Sequence, residues 1–343
     1  MKENDIFTLA GNQIEPGTKK IIHFPVPNIN MQLKLDIPVH VFHGKKPGPK
    51  LFIVGTIHGD ELNGIEILRR VHQYIRIKEL SGTIITIPVV NIYGVIMQSR
   101  YLADRRDLNR SFPGAKKGTL AARLAHGLIE HVVSHCDFGI DLHTGALGRL
   151  NMPQLRVDFN TRGAKEFALS FNTPVILESK QRDGSLRQAA SELGIPLLVY
   201  EGGEAHRFNE LCIRAGVRGI LNVLNHLKML KLKKYSINRK LIAIITNTSR
   251  WLRAPVSGLV QPMGDIIARA VKKNEVLAQI HDPFLINPSV ELIAPFDGIV
   301  IGQALRAMAS EGDALYHLAS FKKLSGVKAF IDEYRDQITT EQV

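Results

Sequence analysis

Leu51-Phe-Ile-Val-Gly-Thr-Ile-His58-Gly-Asp-Glu61-Leu-Asn-Gly64 is the stretch on which the reading of this chain turns. Leu51 to Thr56 is an apolar, β-branched run that reads as a buried strand. From Glu61 to Ile77 the apolar residues Leu62, Ile65, Ile67, Leu68, Val71 and Ile75 recur near helical spacing. A strand therefore ends in polar residues, turns at Gly59 and enters a helix near Asp60. The same alternation continues downstream. Thr83–Val90, Phe138–His143, Pro174–Leu177 and Pro196–Tyr200 read as strands, with helices over Leu120–Val133 and, capped by Ser185, over Leu186–Leu193. Alternating elements of this kind predict an α/β fold with a sheet covered by helices on both faces. Ligands in such sheets bind beyond the carboxyl ends of the strands. The polar residues at those ends here are His58, Asn91, His143 and Glu201.

A length of 343 residues predicts two domains. The division falls in the basic stretch Lys228–Lys240, giving a first domain over residues 1–235 and a smaller all-β module over 241–325. Residues 1 to about 45 alternate weakly and predict an edge hairpin on the first domain. No run approaches the roughly 18 apolar residues of a membrane span, and no secretory signal core follows Met1, so no membrane partner is expected. Cys136 and Cys212 lack CxxC spacing and read as free thiols in a reducing compartment, with the cytoplasm as the expectation. The formal charge of +12 could draw nucleic acid, but no nucleic-acid motif accompanies it. A solvated linker and helix end is the favoured reading of that charge, and no nucleic-acid partner is expected. A nucleic-acid binder stays the last reading, supported only by net charge. Excess positive charge also suits steering of small anions toward a cleft. The oligomeric state stays open, a homo-oligomer included.

Beyond residue 240, short strands and Gly/Pro/Asp turns replace the α/β alternation. Ala254-Pro-Val-Ser-Gly-Leu-Val260 matches Ala294-Pro-Phe-Asp-Gly-Ile-Val300, and Val271–Ile280 faintly echoes Ala309–Leu318. Two copies of a hairpin-like unit predict a small quasi-symmetric β-barrel or sandwich. The pattern resembles the biotinyl/lipoyl-carrier fold, which implies a cofactor-bearing lysine in the turn after Glu275–Ile280. That turn reads His281-Asp-Pro-Phe-Leu285 and has no lysine. A structural module is expected rather than a swinging arm.

His58 and Glu61, an imidazole and a carboxylate three residues apart across a turn, can converge on one metal ion. Catalytic zinc sites commonly use three such ligands plus water. Taken alone, the pair also fits a local hydrogen bond with Glu61 complementing the helix N-terminus. His143 changes that weighing. In Asp141-Leu-His143-Thr-Gly145, period-2 alternation sets Asp141 and His143 on one face, and a buried imidazole beside a carboxylate needs a partner. One zinc ion per chain, held by His58, Glu61 and His143, would supply it, with a structural polar pair as the alternative. Arg100-Tyr-Leu-Ala-Asp-Arg-Arg-Asp107-Leu-Asn109-Arg110-Ser-Phe-Pro-Gly114 offers cations. Arg110 with Asn109 suits a substrate carboxylate, and Arg100 a developing oxyanion. Glu201 in Val199-Tyr-Glu201-Gly-Gly-Glu204 suits the general base, while Glu204 is expected to face solvent.

GxxHGDE, DLNRxFPG, DLHT and the strand-terminal EGG occur in an order and spacing that resemble the succinylglutamate desuccinylase/aspartoacylase family, within the zinc carboxypeptidase-like hydrolases. The resemblance covers residues 51 to about 205. It implies a carboxypeptidase-like mixed sheet with Zn2+ on His58, Glu61 and His143. It further implies oxyanion stabilisation by Arg100, a carboxylate grip by Asn109 and Arg110, support of that loop by Asp107, and Glu201 as base and acid. The expected activity is hydrolysis of a small, carboxylate-bearing N-acyl amino acid or related amine. A zinc carboxypeptidase acting on short peptides needs the same parts. A non-catalytic carrier is the reading from a different class, and the missing attachment lysine argues against it.

Overall fold

A computed structural model describes residues 4–26, 35–232, 243–321 and 327–340. The hairpin β1 (Phe7–Leu9) and β2 (Asn12–Ile14) leads into β3 (Thr18–Pro25) and β4 (Asp36–His43), an antiparallel pair at the edge of the main sheet. Then come β5 (Lys46–Gly55), α1 (Asn63–Tyr74), β6 (Ser81–Ile87), α2 (Ile92–Ile96) and α3 (Leu120–His131). They are followed by β7 (Phe138–Gly145), β8 (Arg149–Val157), α4 (Ala164–Phe171), β9 (Val175–Glu178), α5 (Leu186–Glu192), β10 (Leu197–Glu204) and α6 (Glu210–His226). The central strands run in the order β8-β10-β7-β5-β6-β4-β3. β10, β7, β5 and β6 are mutually parallel, while β8 is antiparallel to β10 and β4 is antiparallel to β6, so the sheet is mixed.

Alternation along each strand feeds two separate cores. On β5, Leu51 and Ile53 pack with α1, α4 and α6, whereas Phe52 and Val54 pack with α3 and α5. On β10, Leu198 and Tyr200 join the first core and Leu197 and Val199 the second. Strands buried on both faces read as continuous apolar runs, which is why they were legible. β8 was not. It carries Asn151, Pro153 and Gln154, and proline inside a strand is confined to edges and irregular positions. Its pairing with β10 shifts register between Glu201 and Gly203, where Gln154 and Asn151 lie opposite.

The C-terminal strands are β11 (Ile244–Thr246), β12 (Ser249–Arg253), β13 (Gly258–Pro262), β14 (Ala270–Val271) and β15 (Val276–His281). They continue as β16 (Val290–Ile293), β17 (Gly298–Ala304), β18 (Met308–Ala309) and β19 (Ala314–Ser320), before the helix α7 (Val327–Thr340). The internal repeat is a repeat of structure. β13 pairs with β15 and β18 as β17 pairs with β19 and β14, so each half lends a strand to the other. Asn274 N donates to Ala294 O where Gly312 N donates to Ala254 O, both at positive φ. The C-terminal strands are not a detached body: β12, β19 and β17 extend the main sheet, while β16, β15, β13 and β18 form a separate four-stranded sheet. β17 pairs with β8, β11 pairs with β9, and Tyr334 and Ile338 of α7 return to the first core. Residues 233–242, where the domain division was expected, lie outside the described residues. No helix among the described residues is long and apolar enough to cross a membrane.

Candidate active site

The site grows from the carboxyl end of the parallel strands. Thr56, just past β5, has φ of 57°, unusual for a β-branched residue, and its hydroxyl donates to Pro88 O at 2.8 Å. The strand ends in this bend, and the turn expected at Gly59 follows it, closed by Glu61 N donating to His58 O at 3.2 Å. Gly59 has a different reason to be glycine: a Cβ there would lie 2.0 Å from the Gly94 backbone. α1 begins at Asn63, two residues later than Glu61, which leaves Glu61 free of the helix and aimed at the sheet.

His58, Glu61 and His143 each offer a donor atom within 4.8 Å of the others, and all three are buried. His58 Nδ1 is 2.8 Å from Glu61 Oε1, and His143 Nδ1 is 2.8 Å from Glu61 Oε2. The outer nitrogens are also engaged. Asp107 Oδ1 sits 3.2 Å from His58 Nε2, and Asp141 Oδ2 2.8 Å from His143 Nε2. Carboxylates on the far nitrogens fix the ring orientation and present both Nδ1 atoms to a common point, as metal-ligating histidines require. Two nitrogens and a carboxylate oxygen are a donor set that zinc accepts. The residues fit the ion.

Electrostatics agree with a cation-hungry cluster. Burial alone would raise the Glu61 carboxyl, but His58 and His143 overcome it and hold it well below the usual carboxylate range. Burial would lower both imidazoles. Glu61 and Asp107 raise His58, and Asp141 with Glu61 raises His143 well above its ordinary value. Without a metal, protons on these two rings and the Arg100 guanidinium offset the three carboxylates, and a divalent cation can take the place of the ring protons.

Glu201 is placed by register. β10 and β7 pair in parallel with Glu201 opposite His143 and Val199 opposite Asp141, so the pairs share a face at about the 4.8 Å spacing of neighbouring strands. Asn151 Nδ2 donates to Glu201 Oε2 at 2.7 Å, and Arg156 Nε forms an ion pair with Oε1 at 3.1 Å. Glu204 departs from expectation. Its Oε1 accepts from Gly148 N at 3.1 Å, so it pins the turn between β7 and β8 instead of facing solvent.

The loop residues converge on the same place. Arg100 Nη2 and Nε bond Asp107 Oδ2 at 3.0 and 3.2 Å, and Nη1 lies 3.3 Å from Glu61 Oε1. Asp107 thus ties His58, Arg100 and its own loop together. Asn109 is partly committed: its Oδ1 accepts from Leu186 N at 2.9 Å, the first turn of α5, which leaves its amide nitrogen available. Arg110 is exposed at the cavity.

These groups line a cavity of about 360 Å³ that holds His58, Glu61, His143, Arg100, Asn109, Arg110 and Glu201 together. Sequence reading missed Arg149, Arg156, Lys180, Arg182, Arg187 and Trp251 on its walls. Arg187 is buried, donating to Ser179 Oγ at 3.0 Å and Lys180 O at 2.8 Å, with no carboxylate in ion-pair contact among the described residues. Burial and the nearby Arg156 guanidinium push it down to about 10. Burial with Arg110 and Arg156 lowers Arg182. The signal that could have found Arg156 is its place between apolar Leu155 and Val157, an arginine inside a strand.

A family model described as the succinylglutamate desuccinylase/aspartoacylase catalytic domain matches residues 47–227. The chain is 25% identical over 296 residues to an N-alpha-acetyl-L-2,4-diaminobutyric acid deacetylase of Halomonas elongata, covering 82% of this chain and 85% of that one. A succinylglutamate desuccinylase/aspartoacylase crystal structure from Rhodobacter sphaeroides superposes with a TM-score of 0.79 at 25% identity, over 88% of this chain and 96% of that one. A product-bound structure of the ectoine utilization protein EutE (DoeB) from Ruegeria pomeroyi gives 0.78 at 24% identity, over 87% and 95%.

Proposed function

This chain belongs to the succinylglutamate desuccinylase/aspartoacylase family, and from that premise we propose that it is a zinc-dependent deacylase. It hydrolyses the amide bond of a small anionic N-acyl amino acid or related amine. The observation that carries the reading is the β10–β7 register, which sets the carboxylate of Glu201 beside His143 in one cavity. His58, Glu61 and His143 would hold one Zn2+, which when bound lowers the pKa of water and polarises the amide carbonyl.

The chain's own groups do the rest. Glu201 takes the proton of the attacking water at one carboxylate oxygen and delivers it to the leaving amine nitrogen. Asn151 and Arg156 hold both of its oxygens, so it meets the water in one orientation. Arg100, braced by Asp107, faces the carbonyl oxygen as negative charge develops there. Arg110 and the amide nitrogen of Asn109 grip a substrate carboxylate, and Arg182 and Arg187 add positive charge with no carboxylate in ion-pair contact among the described residues. A cavity so lined favours anions over neutral or cationic substrates. The buried thiols Cys136 and Cys212 accord with work in a reducing compartment such as the cytoplasm.

The test is turnover by the zinc-loaded protein across N-acyl amino acids and short peptides, beside Glu201→Gln. Small anionic N-acyl compounds should be the best substrates, and the variant should keep its zinc while losing turnover. Faster cleavage of peptides several residues long would overturn the deacylase reading.

A further inference from the structure

One wall of the cavity comes from the C-terminal strands, and it is built around the single tryptophan of the chain. Trp251 on β12 lies opposite His317 on β19, and the two rings stack with centroids 4.8 Å apart and planes 9° from parallel. Over the indole ring sits the guanidinium of Arg149, 5.2 Å from the ring centre. Arg149 opens β8, pairs across to Ala304 of β17, and follows the turn that Glu204 pins at Gly148. It is exposed, and no carboxylate pairs with it among the described residues. A second cavity of about 520 Å³ adjoins the first, and Arg100, Ala146 and Arg149 border both.

Resting on the deacylase reading above, we propose that Arg149, seated on Trp251, is a specificity-determining cation that reads an anionic group of the substrate where the two cavities meet. The physical reason is preorganisation. An exposed arginine normally loses side-chain freedom when it binds, but one already held on an aromatic face loses less. His317 makes the platform rigid. It is buried, and burial together with Arg156 lowers it to about 3, so it stays neutral and does not repel the guanidinium across the indole. The wall also spans the two parts of the chain: the charge comes from β8 and its seat from β12. The ligand class this favours is an N-acyl amino acid with a side-chain carboxylate. A substrate of the same length ending in an ammonium, such as an N-acetylated 2,4-diaminobutyrate, meets a like charge there.

The experiment compares N-acetyl-L-glutamate with N-alpha-acetyl-L-2,4-diaminobutyrate on the zinc-loaded wild type, Arg149→Ala and Arg149→Glu. Binding of N-acetyl-L-glutamate is followed in parallel through the fluorescence of Trp251. We expect the wild type to favour the glutamate compound. Arg149→Ala should lower kcat/KM for it about tenfold, mainly through KM, the loss of one charge-assisted contact. Arg149→Glu should shift the preference further toward the diaminobutyrate compound. Trp251→Leu, which keeps the charge and removes its seat, should act in the same direction with a smaller size. Titration should change the emission saturably in the wild type and leave it nearly flat in Arg149→Ala. A substrate preference that charge reversal leaves within twofold would overturn the proposal, as would an equal emission change in Arg149→Ala or no saturable change in the wild type. Failure of turnover on every N-acyl compound would instead sink the deacylase reading, and the emission titration still decides the role of Arg149.

Discussion

Around His143 the main sheet buries ionised groups in mutual contact, whereas around His317 the C-terminal strands bury an imidazole that stays neutral. His143 sits between Asp141 and Glu61, and their combined field overcomes burial. His317 has one hydroxyl neighbour, Ser249 Oγ at 3.0 Å, and burial dominates it. The two regions are built for different ends. A cluster of paired charges is costly to bury and is retained for chemistry. A neutral ring stacked on an indole is packing, and here it carries one wall of the cavity. The C-terminal strands repeat a unit whose halves exchange strands.

The comparison breaks first at Glu201. Glu201→Gln is nearly isosteric and cannot accept a proton, so turnover should fall about 10²–10⁴-fold with zinc content unchanged. Single-turnover kinetics with metal analysis on the same sample checks both halves. Near wild-type activity would move the base elsewhere, and Glu204, bonded to Gly148, would be the next to test.

Gly302 of β17 is one place where the two regions touch. A Cβ there would lie 2.7 Å from Asn151 Oδ1, on the side chain that holds Glu201, and 3.2 Å from His317 Cβ. Gly302→Ala should cost about 1–3 kcal/mol in overpacking and lower kcat as Asn151 shifts. Equal kcat despite a measurable loss in denaturant midpoint would show that the regions are mechanically independent.

Acid should separate the histidines by sign. His317 titrates near 3 folded and near its ordinary 6.5 unfolded, so below 6.5 the unfolded chain takes a proton that the folded one refuses. Stability then falls with pH, by about 2 kcal/mol at pH 5, and His317→Gln should remove that share. Chemical denaturation of both proteins at pH 7 and pH 5 measures it. His58 and His143 have raised values in the metal-free protein, so their contribution is fully present below the unfolded value and fades as pH rises through the folded one. Zinc must displace those protons. Calorimetry in buffers of different ionisation enthalpy should find roughly one to two protons released per zinc, with affinity rising with pH.

The smallest effect is expected at Arg110. Arg110→Lys keeps the charge and loses the planar fork, so KM should rise and kcat fall by a few-fold to tenfold, approximately. A lysine variant indistinguishable from wild type on its best substrate would assign the carboxylate grip to Arg182 or Arg187 instead.

The residues that were legible in the sequence are those that end apolar runs. His58 follows β5, His143 falls in β7 and Glu201 in β10, and each run is apolar because its strand is covered on both faces. Arg149, Asn151, Arg156 and Trp251 escaped notice for the opposite reason. β8 is interrupted by proline and polar residues, and β12 is five residues long with only Leu252 fully buried, so neither has a periodic pattern to mark what it carries.

By itself, then, the sequence determined the alternation of strands and helices, the repeat after residue 250, and three donor residues of types that suit one metal ion. These depend on local spacing and side-chain chemistry, which the chain carries wherever it folds. Only the tertiary structure decided that β17 would join β8 and bring Trp251 to the cavity, that Asn109 would spend its oxygen on α5, and that Glu204 would hold a turn. Those outcomes rest on contacts between residues distant in the chain, side-chain bonds such as that of Asn109 with Leu186 and strand pairings such as that of Asn151 with Gly302. Such pairings are set by which edges and faces remain unsatisfied after the local elements form, and no local pattern encodes them.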